Sequence, residues 1–472
     1  MYGKLTLGAV ALGLCGTLSA AAATFHIAED RMAVVDGERV FILGLYENPS
    51  DDAVLREVAA SGFNLLHVSA DEAALDRAHT HNLWAWINTG YAIDLSEKTE
   101  EREAELHSMV ERFAAHPAML VWEVPDEALW NCWYNAILWR TREEPRRLTE
   151  KINALEDEDQ KRELREQLAE VRRLQRLALY DEAEPLADAL WSVLGEYSPR
   201  PGFGLADAPA RAAKLCEGMT AGYKLLRKID PNHPIWMNHA PRNQIAQLAM
   251  FNQGADIVGC DIYPIPFTPK VGHSDLAERS AAAVGAYTRR IQQAAPGKPV
   301  WMVLQGFGWG DIQPERSEAE RRELRRPTYE ESRFMAYDAI ARGARGILYW
   351  GTASIEKDST LWRDLMRLAA ELRALQPVLS AHDAPIGMHV EVQESFGSVD
   401  RTIHVLPKQV GDKVWLIVVN ECPDPLVYVL RGLGVPDGST YEEIDSGRRV
   451  TVDDGALSMG IAAQSVHILR PQ

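Results

Sequence analysis

A (β/α)8 barrel (a TIM barrel) with a helical insertion after its fourth strand and a C-terminal antiparallel β-sandwich is the fold this sequence predicts, on three observations. Eight short apolar runs recur between residues 41 and 350, each bounded by polar residues or by Gly and Pro. Amphipathic segments of helix length lie between them, as parallel strands joined by crossover helices require. After residue 383 the pattern changes to short alternating strands punctuated by turn residues. Eight strands are what a closed barrel needs, whereas an open doubly wound sheet has no requirement to close.

The chain of 472 residues begins with Lys4, an apolar run over 5–18 and a string of alanines at 20–23. This reads as a signal peptide, residues 1–23, removed on export to the periplasm or the cell exterior. A buried first helix is the alternative, but the run has no amphipathic period. Cys15 follows Leu14 rather than a small residue, which argues against lipidation. No later run approaches the ~18 apolar residues of a membrane span, so no membrane insertion is expected after cleavage.

Residues 24–40 carry a hairpin signal at Asp36-Gly37 and are expected to cap the barrel bottom. The barrel is expected over 24–383, with strands at 41–46, 64–68, 83–88, 118–122, 234–238, 256–263, 299–304 and 346–350. Segments 51–61, 99–115 and 329–342 have the period of outer helices. The connection from Glu127 to residue 234 is several times longer than the others, which marks an insertion at about 128–212. Within it, 142–180 is dense in Glu, Arg, Lys and Leu, with Leu148, Ile152, Leu155, Leu164, Leu168, Val171 and Leu174 at helical spacing. A long helix or helical hairpin is expected there, either as a solvated decoration or as a lid or oligomer contact. Residues 384–472 should form the β-sandwich, with strands at 389–392, 402–406, 414–419, 426–430, 441–444 and 466–469. Few aromatic residues sit on these strands, so bracing of the barrel is expected rather than glycan binding.

With 46% hydrophobic residues the chain can bury a large core. Its 68 acidic against 50 basic residues, net −18, exclude a general binder of nucleic acid or anionic membrane and suit neutral ligands. Cys132, Cys216, Cys260 and Cys422 are far apart and lack Cys-x-x-Cys spacing. No metal site and no cofactor are expected, and a disulfide is permitted but not indicated.

The densest chemical signal is Trp122-Glu123-Val124-Pro125-Asp126-Glu127, at the end of the fourth run. The C-terminal ends of barrel strands form the face that carries active sites, so Glu127 is the first catalytic candidate. Glu123, inside the strand, is expected to pair with a buried Arg or His. Asp261 ends the sixth run and is the best-placed second carboxylate, or else a structural acceptor. Glu47, Asp71 and Glu356 lie on neighbouring loops as weaker candidates. Trp130, Trp133, Tyr134 and Trp139 crowd the fourth loop, and Tyr46, Trp86, Tyr91 and Phe307 occupy others. Tyr263, Trp309 and Trp350 are the expected ligand contacts, since large apolar faces with polar tips suit a binding cleft. His67, Asn238 and His239, at the ends of the second and fifth runs, are candidates to bind hydroxyls, although a lone His more often has a structural role.

The Trp-Glu-x-x-Asp-Glu string resembles the Trp-Glu-x-x-Asn-Glu string that ends the fourth strand of clan A glycoside hydrolases (family 5 and family 2 type). Phe41-Ile42-Leu43-Gly44, Ser61-Gly62-Phe63-Asn64 and the Trp350 that closes the eighth run agree in order and spacing, so the resemblance spans residues 40–352. It implies that Glu127 is the acid/base. Asp126 stands where the clan has the Asn that hydrogen-bonds the sugar 2-hydroxyl, a bond Asp can still accept; capping of the next helix is its alternative role. Gln305 stands where the clan has its nucleophilic Glu; an amide cannot be that nucleophile, but it can face the ligand. If Asp261 supplies the base, an inverting enzyme is expected, with the carboxyls ~6.5 to 9.5 Å apart. The leading expectation is an exported hydrolase of β-linked oligo- or polysaccharide. The second is a non-catalytic carbohydrate-binding barrel that has lost the nucleophile. Unrelated chemistry has no support from a phosphate-binding Gly loop, a His-x-x-x-His pair or a Gly-x-Ser-x-Gly elbow.

Overall fold

The computed structural model describes residues 22–268, 273–394 and 403–472. The expected leader lies, but for its last two residues, outside the described residues. Eight parallel strands close into a barrel: β1 (Ile42–Leu45), β2 (Leu65–Val68), β3 (Trp84–Asn88), β4 (Met119–Glu123), β5 (Ile235–His239), β6 (Ile257–Asp261), β7 (Val300–Gln305) and β8 (Gly346–Trp350). β8 returns to β1 in the register Gly346↔Ile42 to Tyr349↔Leu45, which completes the ring. Every residue of β4 is buried, as strands covered on both faces demand. Inside the barrel the Trp236 and Trp301 rings lie 5.5 Å apart. They fit because Gly259 has no side chain: a Cβ there would lie 1.9 Å from the Trp301 carbonyl oxygen and 2.5 Å from the Trp236 ring.

The outer helices follow the expected periods: Asp52–Ser61, capped by the Asp51 carboxylate and ended by Gly62 at φ 113°, then Thr99–Phe113 and Tyr329–Ala341. Ahead of β1, strands Phe25–Ile27, Ala33–Val35 and Glu38–Val40 form a small antiparallel sheet. Its turn has Asp36 at φ 51° and Gly37 at φ 84°, the conformation that Asp-Gly favours. Ala33 and Val35 pack into the barrel core at the end from which β1 starts.

Between β4 and β5 the chain runs through Ala128–Leu138, a π-helical turn at Trp139–Glu143, then Glu144–Asn153, Glu158–Arg176 and Tyr180–Val193. The helix Ala208–Ile229 returns along the barrel. Leu148, Ile152, Leu164, Leu168, Val171 and Leu174 meet Leu190 and Trp191 in a core separate from that of the barrel. Of the expected long helix or helical hairpin the structure has the hairpin, turned at 154–157 where Asp157 caps a new start, and a third helix joins it.

The C-terminal strands make a six-stranded sheet (His382–Asp383, Ile403–Val410, Lys413–Asn420, Ser465–Pro471, Thr440–Glu443, Arg449–Thr451, in spatial order) and a three-stranded sheet (His389–Glu394, Leu426–Arg431, Ala456–Ile461). Ile417, Val419, Val466 and Ile468 continue the barrel core, and Arg342 makes a two-pronged pair with Glu421 at 2.7 and 2.6 Å. This packing braces the outer helix Tyr329–Ala341. Cys132, Cys216, Cys260 and Cys422 are buried free thiols. Among the described residues no helix is long and apolar enough to cross a membrane.

Candidate active site

The barrel strands end at one mouth, where a cleft of about 660 Å³ opens beneath the helical insertion. Asp126, Glu127, Asn238, Asp261, Tyr263, Trp309 and Trp350 line it. So do residues that sequence reasoning did not single out: Arg142, Arg242, Ile312 and His273. Trp130 and Tyr134, one turn apart on Ala128–Leu138, stack at 5.8 Å along the insertion side.

Glu127 sits just before that helix in a left-handed conformation, φ 50° and ψ 30°, with its N–H donating to the Asn238 carbonyl at 3.3 Å. A non-glycine residue held there stores about 1–3 kcal/mol of strain, which the surrounding structure must offset. The conformation turns its carboxyl towards that of Asp261, and each perturbs the proton affinity of the other. Burial and the neighbouring Asp126 charge push the Glu127 carboxyl up to about 7, partly offset by Asp261. Asp261 is 3% exposed and is raised far more, by burial and by the Glu127 and Asp126 charges. Burial thus favours the protonated form of both carboxyls.

His273 fixes the far side of Asp261, with Nε2 at 3.6 Å from Oδ2. The Tyr263 N–H donates to His273 Nδ1 at 2.8 Å, so the ring proton sits on Nε2, facing Asp261. Burial and then the Arg242 charge hold this imidazole down to about 3, which keeps it neutral at physiological pH. The Tyr263 ring stacks on His273 at 4.7 Å and on Trp350 at 5.5 Å, while Trp309 Nε1 donates to the Tyr263 carbonyl at 3.2 Å. Asp126 is open to the cleft yet closely enclosed by protein, and this enclosure raises its carboxyl. Its Oδ1 accepts from Asn238 Nδ2 at 2.9 Å rather than capping the helix.

Three expected ligand contacts stand away from the cleft. Gln305 is fully buried: Nε2 donates to the Ile265 and Phe307 carbonyls, and Oε1 accepts from the Ile265 N–H at 2.9 Å. Its polar atoms go to Ile265 on the loop after β6 and to Phe307 just beyond β7, so it does not face a ligand. His239, 1% exposed, bonds Asn252 at 2.8 Å and is held by burial down to about 4. His67 stacks on Tyr46 at 6.0 Å, within the packing around Glu123. Glu123 is structural, but its partners are not Arg or His. It accepts from Tyr46, Trp86, Asn88 and Trp236, and burial pushes it up to about 8. Glu47 pairs with Lys357, Asp71 caps Glu72–Thr80 and Glu356 pairs with Arg326, and none of the three lines the cleft. Among the described residues no cluster of three His, Cys, Asp or Glu is placed to hold a metal.

No family model and no curated protein matches this chain. Solved structures do. A glycoside hydrolase family 5 protein from Bacteroides vulgatus superposes with a TM-score of 0.51 at 11% identity, over 94% of this chain and 93% of that one. A β-galactosidase from Bacillus circulans gives 0.51 at 11% identity, over 92% and 99%. A third structure, titled simply a glycoside hydrolase, gives 0.50 at 12% identity, over 94% and 96%. The chain shares the (β/α)8 barrel fold of these structures. In such a barrel the C-terminal ends of the strands carry active sites, and Glu127 and Asp261 lie at that end.

Proposed function

We propose that this protein is an exported glycoside hydrolase acting on β-linked oligo- or polysaccharide, with Glu127 as general acid and Asp261 as the second carboxyl. The observation that carries this reading is the Glu127–Asp261 pair, two carboxyls that line one aromatic-walled cleft and perturb each other. A carboxyl held near 7 is protonated often enough at neutral pH to protonate a leaving glycosidic oxygen. To act as base or nucleophile Asp261 must ionise, which its burial opposes, and the His273 N–H that faces it at 3.6 Å is the donor that favours its charged form. Asp126, held by Asn238, is placed to accept a sugar hydroxyl, and Tyr263, Trp309 and Trp350 offer apolar surface. A strand-end carboxyl beside the acid stands where a retaining enzyme has its nucleophile or an inverting enzyme its base. Asp261 is therefore the candidate nucleophile as well as the candidate base, and the anomer first released, read by proton NMR, separates the two.

A non-catalytic sugar-binding barrel is the second reading. It is favoured by Gln305, an amide at the strand end where clan A enzymes carry the nucleophile. Reducing-sugar release from a panel of β- and α-linked glycans, run beside Glu127→Gln, decides between them. Release abolished in the variant supports the enzyme. Glycan binding by both proteins with release by neither supports the binder.

A further inference from the structure

Two cations in the cleft have no partner among the described residues. Arg142 and Arg242 both line it and both are exposed, and neither makes a hydrogen bond or ion pair among the described residues. They contrast with other arginines of the barrel: Arg326, Arg333, Arg342 and Arg345 each hold a carboxylate. Nor do they neutralise the acidic floor. The Glu127 and Asp126 carboxyls are perturbed by burial, by each other and by uncharged hydrogen bonds, and neither guanidinium lowers them.

The placement of Arg142 is built. It lies in the π-helical turn Trp139–Glu143, an irregularity that is frequent at functional sites. Two residues before it, Arg140 points inward and is sealed: Nη1 donates to both Glu144 oxygens and to Asp188, each at 2.9 Å. Trp191 Nε1 adds a bond to the same Glu144 carboxyl at 3.0 Å. The turn is thus pinned from inside while Arg142 is presented outside. Arg242 comes from the loop after β5, and its charge is felt by His273 next to Asp261. One cation approaches from the insertion and the other from the barrel rim.

We propose that the cleft selects a sugar bearing an anionic group, a carboxylate or a sulfate ester, gripped by Arg142 and Arg242. The inference rests on the reading of the cleft as a carbohydrate site and adds the class of sugar. Guanidinium forks bind such oxyanions through paired hydrogen bonds stronger than those a neutral hydroxyl offers. On a chain of net charge −18, two unpaired cations at one mouth are what an anionic ligand needs in order to approach. The neutral ligands suggested by overall charge are thereby replaced by a charged one, because local charge governs recognition.

The test compares matched pairs on the full-length mature protein: 4-nitrophenyl β-D-glucuronide against the β-D-glucoside, β-D-galacturonide against the β-D-galactoside, and 6-sulfo-β-D-galactoside against the same galactoside. One anionic member should exceed its neutral partner in kcat/KM by about tenfold or more, the worth of one charge-assisted hydrogen bond. Which pair responds distinguishes carboxylate from sulfate. That ratio should fall towards one in Arg142→Gln and Arg242→Gln, and shrink in 1 M NaCl, where the screening length is about 3 Å. Saturation-transfer NMR with glucuronate, galacturonate, galactose 6-sulfate, glucose and galactose is run in parallel on Glu127→Gln. Neutral glycosides cleaved as well as or better than anionic ones would overturn the inference and leave the hydrolase reading standing. No cleavage of any glycoside, with arginine-dependent binding of an anionic sugar, would overturn the hydrolase reading and leave the inference standing. No preference in either measurement overturns the inference.

Discussion

Replacing Glu127 by Gln should make the protein a worse catalyst and, above neutral pH, a more stable one. The Glu127 carboxyl stands at about 7 against an ordinary 4.5. Each tenfold change in proton affinity is worth about 1.4 kcal/mol, so the folded state disfavours the ionised form by roughly 3 kcal/mol, trimmed to roughly 1–3 by water reaching the cleft. The sign follows from which state holds the proton. Between pH 4.5 and about 7 the unfolded chain has released it while the folded chain keeps it, so stability falls as pH rises through this window and the loss is complete above about 7. Glutamine has no proton to lose. Urea unfolding of both proteins at pH 4 and pH 8 should therefore show the variant gaining about 1–3 kcal/mol relative to wild type between the two pH values. Hydrolysis should drop by about 10²- to 10⁴-fold, and wild-type kcat/KM should decline above about pH 7 as the acid deprotonates. An unchanged stability difference at the two pH values would show that Glu127 titrates normally, and the argument for its role as acid would collapse with it.

Asp261→Asn should lower kcat by at least about a hundredfold with KM within about threefold, since the residue is 3% exposed at the foot of the cleft; steady-state kinetics check this split. Gln305→Glu should not install a nucleophile. Ionised, it would face the Ile265 and Phe307 carbonyls it now donates to, and a loss of roughly 2–4 kcal/mol in urea unfolding, without gain of activity, is the expected outcome. Arg140→Met leaves the Glu144 carboxyl buried with only Trp191 to serve it, at a cost of about 3–5 kcal/mol felt within the insertion. Hydrogen exchange should quicken in Glu144–Asn153 and Tyr180–Val193 while the barrel strands keep their protection.

The barrel was legible because buried parallel strands are apolar on both faces and therefore appear as short unbroken runs, and all eight runs became strands. The insertion was legible only in part. Leu148 to Leu174 keep a helical period, but Tyr180–Val193 contains Pro185 and several alanines, which blur both its start and its face. Short strands such as Arg449–Thr451, and Ala456–Ile461 with its Gly460, were missed because neither length nor alternation marks them. At the site, a carboxylate at a strand end is a local signal, so Glu127, Asp126 and Asp261 could be named. His273, Arg142 and Arg242 carry none. Each lies on a loop or an irregular turn, and only the closure of the barrel and the return of the insertion bring them together. His67, His239 and Gln305 failed for the opposite reason: a polar residue at a strand end can point into the packing behind the mouth as readily as into it.

Gln305 nevertheless belongs to the chemistry by an indirect route. Its amide clasps Ile265 through both N–H and carbonyl, and Ile265 lies four residues beyond Asp261 on the loop that also carries Tyr263. A carboxylate in that position could accept the Ile265 N–H but would repel the two carbonyls, so the loop could not close over the end of β6 in the same way. Without that closure the Tyr263 N–H would not be set against His273 Nδ1, and the imidazole would lose the bond that turns its proton towards Asp261. An amide at the end of β7 and a buried carboxyl at the end of β6 are thus two parts of one arrangement. If Asp261 has taken over the work of the clan's strand-seven carboxylate, Gln305 is the residue that lets it stand there. Gln305→Glu should then disturb the pH dependence of Glu127 as well as stability, and an unshifted pH–rate profile in a folded variant would break this link.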